Sequence, residues 1–506
     1  MTTLRFVRFI TLTTLAASTI ATTSFAQDAS DVLRYSLIQP SGTARALGFG
    51  NALGSIGGDF TSISINPAGI GIYRRSEMMF TPSIKANNYS GSYLNETNDV
   101  NTTRFNFNNI GIVFTQTPRG KRYETSDWKA ISFAIGVNRL ADFNRDYTYS
   151  GLNKNTSFSQ VFLNDAIDHP ENLNNSSSLA YLGYNSFLLD KDSLGYFALP
   201  YEATTDLHQK RNVQERGGMN ELAFSLGGNY QEKLMLGATV SIPIVNYRRK
   251  NYFEEVDASG NANNYFQAFR YSEDLQSSGI GFVLKLGTIY KPTDWMRVGV
   301  ALHTPTWLAM SDVYNQSITT NTEQYKQTFY PGLDNPGPIT TIKAPTNNFD
   351  YTIRTPWRAV FSATTMIGKH GFLTADYELV DYSSARLGFS SDYSQEQNQR
   401  NQEIKNTTKT TGNFRIGAEG HINQIYLRAG YGFYGSPYQN NTSKMNRTSI
   451  SGGIGYRVDN LFVDFGWMHT RFTETEQPYT LPNILVPSAT MQNRLNNIAL
   501  TLGFKL

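Results

Sequence analysis

The stretch SGTARALGFGNALGSIGGDFTSISINPAGIGIY, residues 41–73, comes before the first strand-like segment and does not itself alternate as a strand does. Glycines at 42, 48, 50, 54, 57, 58, 69 and 71 and the single Pro67 interrupt it. Backbone that carries no side chain can lie close against other backbone, so such a segment suits a confined space better than an exposed face. Within it Asn66, Pro67, Ala68 and Gly69 read as a rigid turn, because proline fixes its own φ, pushes Asn66 toward an extended conformation and leaves Gly69 free to turn. The stretch reads as a plug.

The remainder of the chain alternates. Ile131, Phe133, Ile135 and Val137 interleave with Ser132, Ala134, Gly136 and Asn138, and Val463, Phe465 and Trp467 with Asp464 and Gly466. A soluble sandwich shows the same period of two, so length and spacing must decide. Fourteen segments of this kind lie near 76–90, 104–117, 128–144, 218–231, 234–248, 276–291, 295–310, 349–367, 371–384, 410–421, 424–435, 446–458, 460–473 and 493–506. Short connections such as 231–233, 292–294, 368–370 and 459–460 take turns with long polar ones near 145–217, 249–275, 311–348, 385–409 and 474–492. An even number of up-and-down strands with short turns at one end and long loops at the other is the pattern of a transmembrane β-barrel. Trp128, Trp295, Tyr426 and Phe462 near the short turns, and Trp307, Trp357, Tyr434 and Trp467 near the long loops, fit two interfacial girdles.

Both ends of the chain agree. Arg5 and Arg8, an apolar and threonine-rich run from Phe9 to Ile20 and Ser24-Phe25-Ala26 form an expected secretory signal over residues 1–26, leaving 27–73 as plug and 74–506 as barrel. Ile498, Leu500, Leu502, Phe504 and Leu506 share one face of the last segment, an apolar edge that needs a partner strand. The segment also resembles the terminal strand that the outer-membrane assembly machinery reads, with Leu506 in place of the usual final Phe. The chain has no cysteine, so no disulfide framework holds it, and its formal net charge of +3 gives no case for nucleic acid. After the signal no apolar run approaches the roughly 20 residues of a spanning helix. None of the six histidines stands in metal-pair spacing and no G-x-S-x-G occurs, so the chain is read as neither an enzyme nor a metalloprotein, with no cofactor.

The set G-T-A-R-A-L-G-F-G-N-A, Asp59 and N-P-A-G before a β-rich chain resembles the N-terminal hatch of the FadL/TodX family, outer-membrane transporters of long-chain fatty acids and other hydrophobic molecules. The resemblance implies a monomeric 14-stranded antiparallel barrel in the outer membrane with residues 27–73 as hatch, an apolar small-molecule ligand, and lipids and the assembly machinery as partners. It also implies a kink in the third strand through which ligand leaves sideways. The residues there carry an irregularity of their own: after Ile131, Phe133, Ile135 and Val137 the next lipid-facing position is Arg139, and the following apolar residue, Leu140, has the other parity. Either the strand has left the membrane, or a bulge turns Arg139 inward and Gly136, Asn138, Arg139 and Leu140 border an opening. The loop 145–217 carries apolar residues at spacings of three and four, among them Phe158, Phe162, Leu182, Phe187 and Leu188, which suggest short helices forming either an outer apolar groove or a packed patch. A general porin, or a surface receptor or adhesin anchored by its barrel and taking, for example, haem, remain as alternatives.

Overall fold

In the computed structural model, residues 29–200, 206–261, 264–333, 337–440 and 445–506 are described; the expected signal, residues 1–26, lies outside them. The wall is one closed antiparallel sheet of fourteen strands, several interrupted by a bend. They are β1 (Glu77–Tyr93), β2 (Glu96–Gln116), β3 (Trp128–Asp142, continuing as Arg145–Asn153), β4 (Leu207–Tyr230), β5 (Leu234–Asp257), β6 (Ala268–Thr293) and β7 (Met296–His303 and Trp307–Asn321). There follow β8 (Ile339–Lys343, Asn347–Arg354 and Arg358–Ile367), β9 (Gly371–Asp381, with Arg386–Gly388), β10 (Thr410–Ile422), β11 (Ile425–Tyr434), β12 (Arg447–Val458), β13 (Leu461–Glu476) and β14 (Ala489–Lys505). Closure comes from β14 lying along β1, with Phe504 opposite Met78 and Leu502 opposite Phe80.

Alternation sets which way each side chain points. Phe133, Val137, Leu226, Leu236, Ile244, Phe282, Leu373, Phe465, Leu500 and Phe504 stay exposed on the outer face, a belt of apolar surface that a soluble protein would not leave bare and that lipid covers. The barrel is therefore built to span a membrane. Trp128, Trp295 and Trp307 lie outward near its edges, whereas Phe462 and Tyr434 have the opposite parity and are buried inside, so the girdle is thinner than the sequence suggests. Strands on the long-loop side run well past the belt. Residues 145–153, 207–217, 249–257 and 311–321, read as loop, extend the ladder, and β1 meets β2 through the two-residue turn Leu94-Asn95, both at positive φ.

Candidate functional site

Inside the barrel, residues 29–73 form α1 (Ala29–Ser36), α2 (Ala44–Gly48), α3 (Ser62–Ile65) and a 3₁₀ turn, Pro67–Ile72. Asn66 is fully buried, and its side chain joins three places: Oδ1 accepts from Ala68 N at 3.1 Å, while Nδ2 donates to Gly54 O at 2.6 Å and to Thr288 O on β6 at 3.1 Å. Pro67 begins the 3₁₀ turn, where its missing N–H costs nothing. Against this turn the wall is bare of side chains. Gly227 on β4 pairs with Gly237 on β5, and Gly237 with Gly287 on β6. A Cβ on Gly287 would lie 1.9 Å from Asn66 Oδ1, one on Gly237 2.3 Å from Pro67 C, and one on Gly227 2.6 Å from Ile70 Cγ1. The same device recurs around the lumen, where Gly299, Gly417, Gly430 and Gly466 face the backbone of Gly54, Phe49, Gly50 and Ala44.

Buried charge fastens the segment as well. Thr43 Oγ1 accepts from Ala46 N at the start of α2 and donates to Asp59 Oδ2 at 2.7 Å. Arg45 forks onto Glu419 of β10 at 2.9 and 3.0 Å; Arg428 of β11 reaches the same carboxylate at 2.6 Å and Asp464 of β13 at 2.6 Å. Across the lumen Lys285 of β6 lies 2.5 Å from Glu221 of β4, to which Ser64 of α3 donates. Such alternating charges satisfy one another away from water, where a lone charge is costly.

The third strand parts from the second. Its ladder with β2 runs from Ile131 opposite Gln116 to Asn138 opposite Asn109 and ends there. Its ladder with β4 goes on to Asp142, with Arg139 opposite Asn220 and Ala141 opposite Met219, so Leu140 is the extra residue of a bulge. Arg139 points inward, donating to Gly217 O at 2.8 Å and sitting 3.2 Å from Asp142. Beyond the bend, residues 145–153 stay on β4 but pass inside β1, where Thr148 O is 2.5 Å from a Cβ built on Gly91. Residues 96–108 of β2 thus have β1 as their only ladder partner among the described residues. Exposed Phe105 and Phe107 lie in this stretch, and among the described residues side chains alone cross from it to the bent strand: Arg104 stands 3.7 Å from Asp146, and further out Asn98 Nδ2 donates to Ser150 Oγ at 3.2 Å and Ser150 Oγ to Glu96 at 2.7 Å. Gln39 of the inner segment fills the role of the lost strand: its N donates to Leu140 O at 2.9 Å, its Nε2 to Asp142 O at 3.0 Å, and its Oε1 accepts from Asp142 N at 3.3 Å.

A cavity of about 590 Å³ lies on the long-loop side of the inner segment and reaches Gln39, Asp142 and Phe143 at the bend. Its lining combines Leu33, Leu37, Phe143, Met468 and Leu495 with Arg34, Arg145, Arg211, Glu215 and Glu474, so it offers both apolar surface and charged groups to a ligand. A smaller one of about 60 Å³ touches Asn138, Arg139 and Leu140 directly. Gly136 borders a different feature: it pairs with Gly111, and the Phe60 ring packs against both from inside, leaving the wall one backbone thick.

The outer loop does form helices, Ser159–Asp168 and Leu179–Asn185, and among the described residues its apolar side chains lie in a packed cluster and not along an open groove. Phe162, Leu182 and Leu188 are fully buried with Phe266, Phe269 and Ile318, and the Phe158 ring lies against Phe253, Tyr271 and Tyr479. Phe187 meets Tyr330. The strand extensions supply an apolar face that covers the patch, which is why the expected groove is a packed core instead. Glu255 sits fully buried in this cap, receiving Ser157 Oγ at 2.5 Å, Phe158 N at 2.7 Å and Gln209 Nε2 at 2.7 Å. Burial pushes its carboxyl up to about 7, against the opposing pull of those three donors.

Among the described residues no group of His, Cys, Asp or Glu could hold a metal ion. The residues that matter most here and escaped sequence reading are Gln39, Ser64 and Arg45, polar positions in the plug whose partners lie tens to hundreds of residues away.

No family model and no curated protein sequence matches the chain. Solved structures do. A crystal structure of a Pseudomonas aeruginosa FadL homologue is 14% identical with a TM-score of 0.53, covering 93% of this chain and 99% of that one. The Pseudomonas putida toluene transporter TodX is 12% identical with a TM-score of 0.50 over 93% and 99% of the two chains. At this identity the likeness concerns architecture, and the chain has the fold of these FadL-type and TodX-type barrels.

Proposed function

We propose that the protein is an outer-membrane transporter for hydrophobic small molecules, which enter the lumen from the long-loop side, rest in the cavity above the inner segment and leave sideways into the bilayer between β2 and β3. The observation that carries this reading is the end of the β2–β3 ladder at Asn138, next to a cavity that reaches the same bend. Residues 27–73 act as the hatch, with Asn66, Pro67, Ala68 and Gly69 holding it to the wall, and Asn138, Arg139 and Leu140 border the exit. An apolar molecule gains nothing by crossing the water beyond the barrel, so a route into lipid is the favourable one. The barrel works as a monomer, with lipids around it and the assembly machinery acting on its last strand; the cargo is apolar or amphipathic, fatty acid or hydrocarbon.

Because the chain has no cysteine, Arg104→Cys with Asp146→Cys, at side chains that now lie 3.7 Å apart across the unpaired stretch, gives a clean pair for a bis-maleimide crosslinker. Crosslinking is expected to drop uptake of a labelled alkane or fatty acid to background while the purified barrel still retains the compound. Uptake that survives a complete crosslink would reject the lateral route, and open-pore ion conductance of the uncrosslinked protein would favour a general porin.

A further inference from the structure

Outside the lumen, Arg471 of β13 stands directly opposite Arg494 of β14, both exposed on the outer face. Like charges facing each other across a ladder destabilise it, so such a pair calls for a counter-charge. The barrel has a second outward pair of this kind, Arg216 opposite Arg248, and there the chain supplies acids: Arg216 reaches Asp146 Oδ2 at 3.0 Å and Arg248 reaches Asp274 Oδ1 at 3.0 Å. Arg471 and Arg494 have neither an ion pair nor a side-chain hydrogen bond among the described residues. Their row continues as Thr448 on β12, Asn88 on β1 and Asn101 on β2, all uncharged.

Their height matters as much as their charge. Two rows toward the short turns lie Trp467, Ile498, Ile84 and Phe105, still within the apolar belt; one row up come His469 and Asn496, and then the two arginines. Four residues of strand separate Trp467 from Arg471, about 13 Å. The pair therefore stands where hydrocarbon gives way to headgroups on the long-loop side. Two planar guanidiniums side by side match the oxygens of a phosphate, and each can donate two parallel hydrogen bonds.

We propose that Arg471 and Arg494 together bind the phosphate of a phosphorylated lipid in the outer leaflet, whose chains lie along the Trp467 and Ile498 surface below. The assignment rests on the membrane orientation proposed above and is independent of the transport route.

Native mass spectrometry of the detergent-solubilised barrel tests it, with a bis-phosphorylated diglucosamine lipid, the same lipid without its phosphates, and inorganic phosphate as probes. The intact barrel is expected to keep the phosphorylated lipid and not the dephosphorylated one. Arg471→Gln with Arg494→Gln should weaken retention about tenfold or more, while Arg471→Lys with Arg494→Lys, which keeps charge but loses the fork, falls between. Arg216→Gln with Arg248→Gln should leave it as it was. Equal retention by the double glutamine variant, with its heat-modifiable gel mobility intact, would overturn the site. So would displacement of the lipid by millimolar phosphate, which would make it a simple anion site. Uptake measured on the same variants is expected to continue; loss of uptake with lipid binding intact counts against the transport reading alone.

Discussion

Asn138, the last residue of β3 to pair with β2, donates its side-chain amide to Ser64 Oγ of the inner segment at 2.6 Å. The point where the wall comes apart is thus held by the element that fills the lumen, and Gln39 holds the next residues along. A shift of the segment would pull directly on the residues where the ladder ends.

Gln39→Ala removes two of the three hydrogen bonds that stand in for the missing strand, leaving only its backbone bond to Leu140 O. The loss should cost about 1–3 kcal/mol locally. Hydrogen exchange at the Asp142 amide is expected to quicken, with β4 pairing on the other edge unchanged. Identical protection in both proteins would mean that Gln39 does not shape the bend.

Gly237→Val places a side chain where Pro67 now lies. Overpacking of this kind costs about 1–3 kcal/mol, and here the cheapest relief is to lift the 66–71 turn off the wall. Raised ion conductance in planar bilayers is expected. Gly452→Ala, whose Cβ would meet only Arg428 O at 3.7 Å, serves as the silent control.

Arg428→Met leaves Glu419 with Arg45 but strips Asp464, itself wholly buried, of its cation. A broken buried pair costs about 3–5 kcal/mol. The temperature at which the folded band disappears on semi-native gels should fall clearly, and Asp464→Asn in the same chain should recover part of the loss.

Glu255 gives the outer cap a pH dependence. Its folded value, about 7, lies above its ordinary value of 4.5, so the folded cap binds the proton more tightly than the opened one. Stability from this group is full below pH 4.5 and is lost as pH rises through about 7. Protection of the Phe158 amide, corrected for intrinsic exchange, is expected to fall over that window and then level off, and Glu255→Gln should flatten the profile.

Topology is checked by epitope tags. One inserted at Asn398, in the helix Ser394–Thr407 of a long loop, should be reached by antibody on intact cells; one at Lys369, in the short turn between β8 and β9, should not. The reverse labelling would invert the orientation on which the transport route depends.

How much of this could be read beforehand follows from what lipid demands. Within the belt outward positions are mostly apolar and carry no charge, so Phe133, Ile135, Phe465 and Leu502 mark their strands plainly and all fourteen are legible. Past the belt both faces meet water or other loops, the alternation dissolves, and 249–257 or 207–217 look like loop although they are ladder. Inward aromatics such as Phe462 and Tyr434 cannot be told from girdle residues by type alone. Spacing of Phe158, Phe162 and Leu182 tells that they want cover, not what covers them. Arg139 signals a break in the strand because a charge violates parity, whereas nothing in the sequence links Gln39 to Asp142, since an amide that mimics a strand leaves no periodic trace.

The ring of glycine seats also bears on how the molecule is made. The inner segment is seated at glycines of β4, β5, β6, β7, β10, β11 and β13 at once, so its fit depends on strands from most of the barrel's circumference. The pairing of β14 with β1, the most distant in the chain, therefore closes the wall on a segment that already fits seven of its strands, and barrel closure and the seating of the N-terminal segment belong to one cooperative unit.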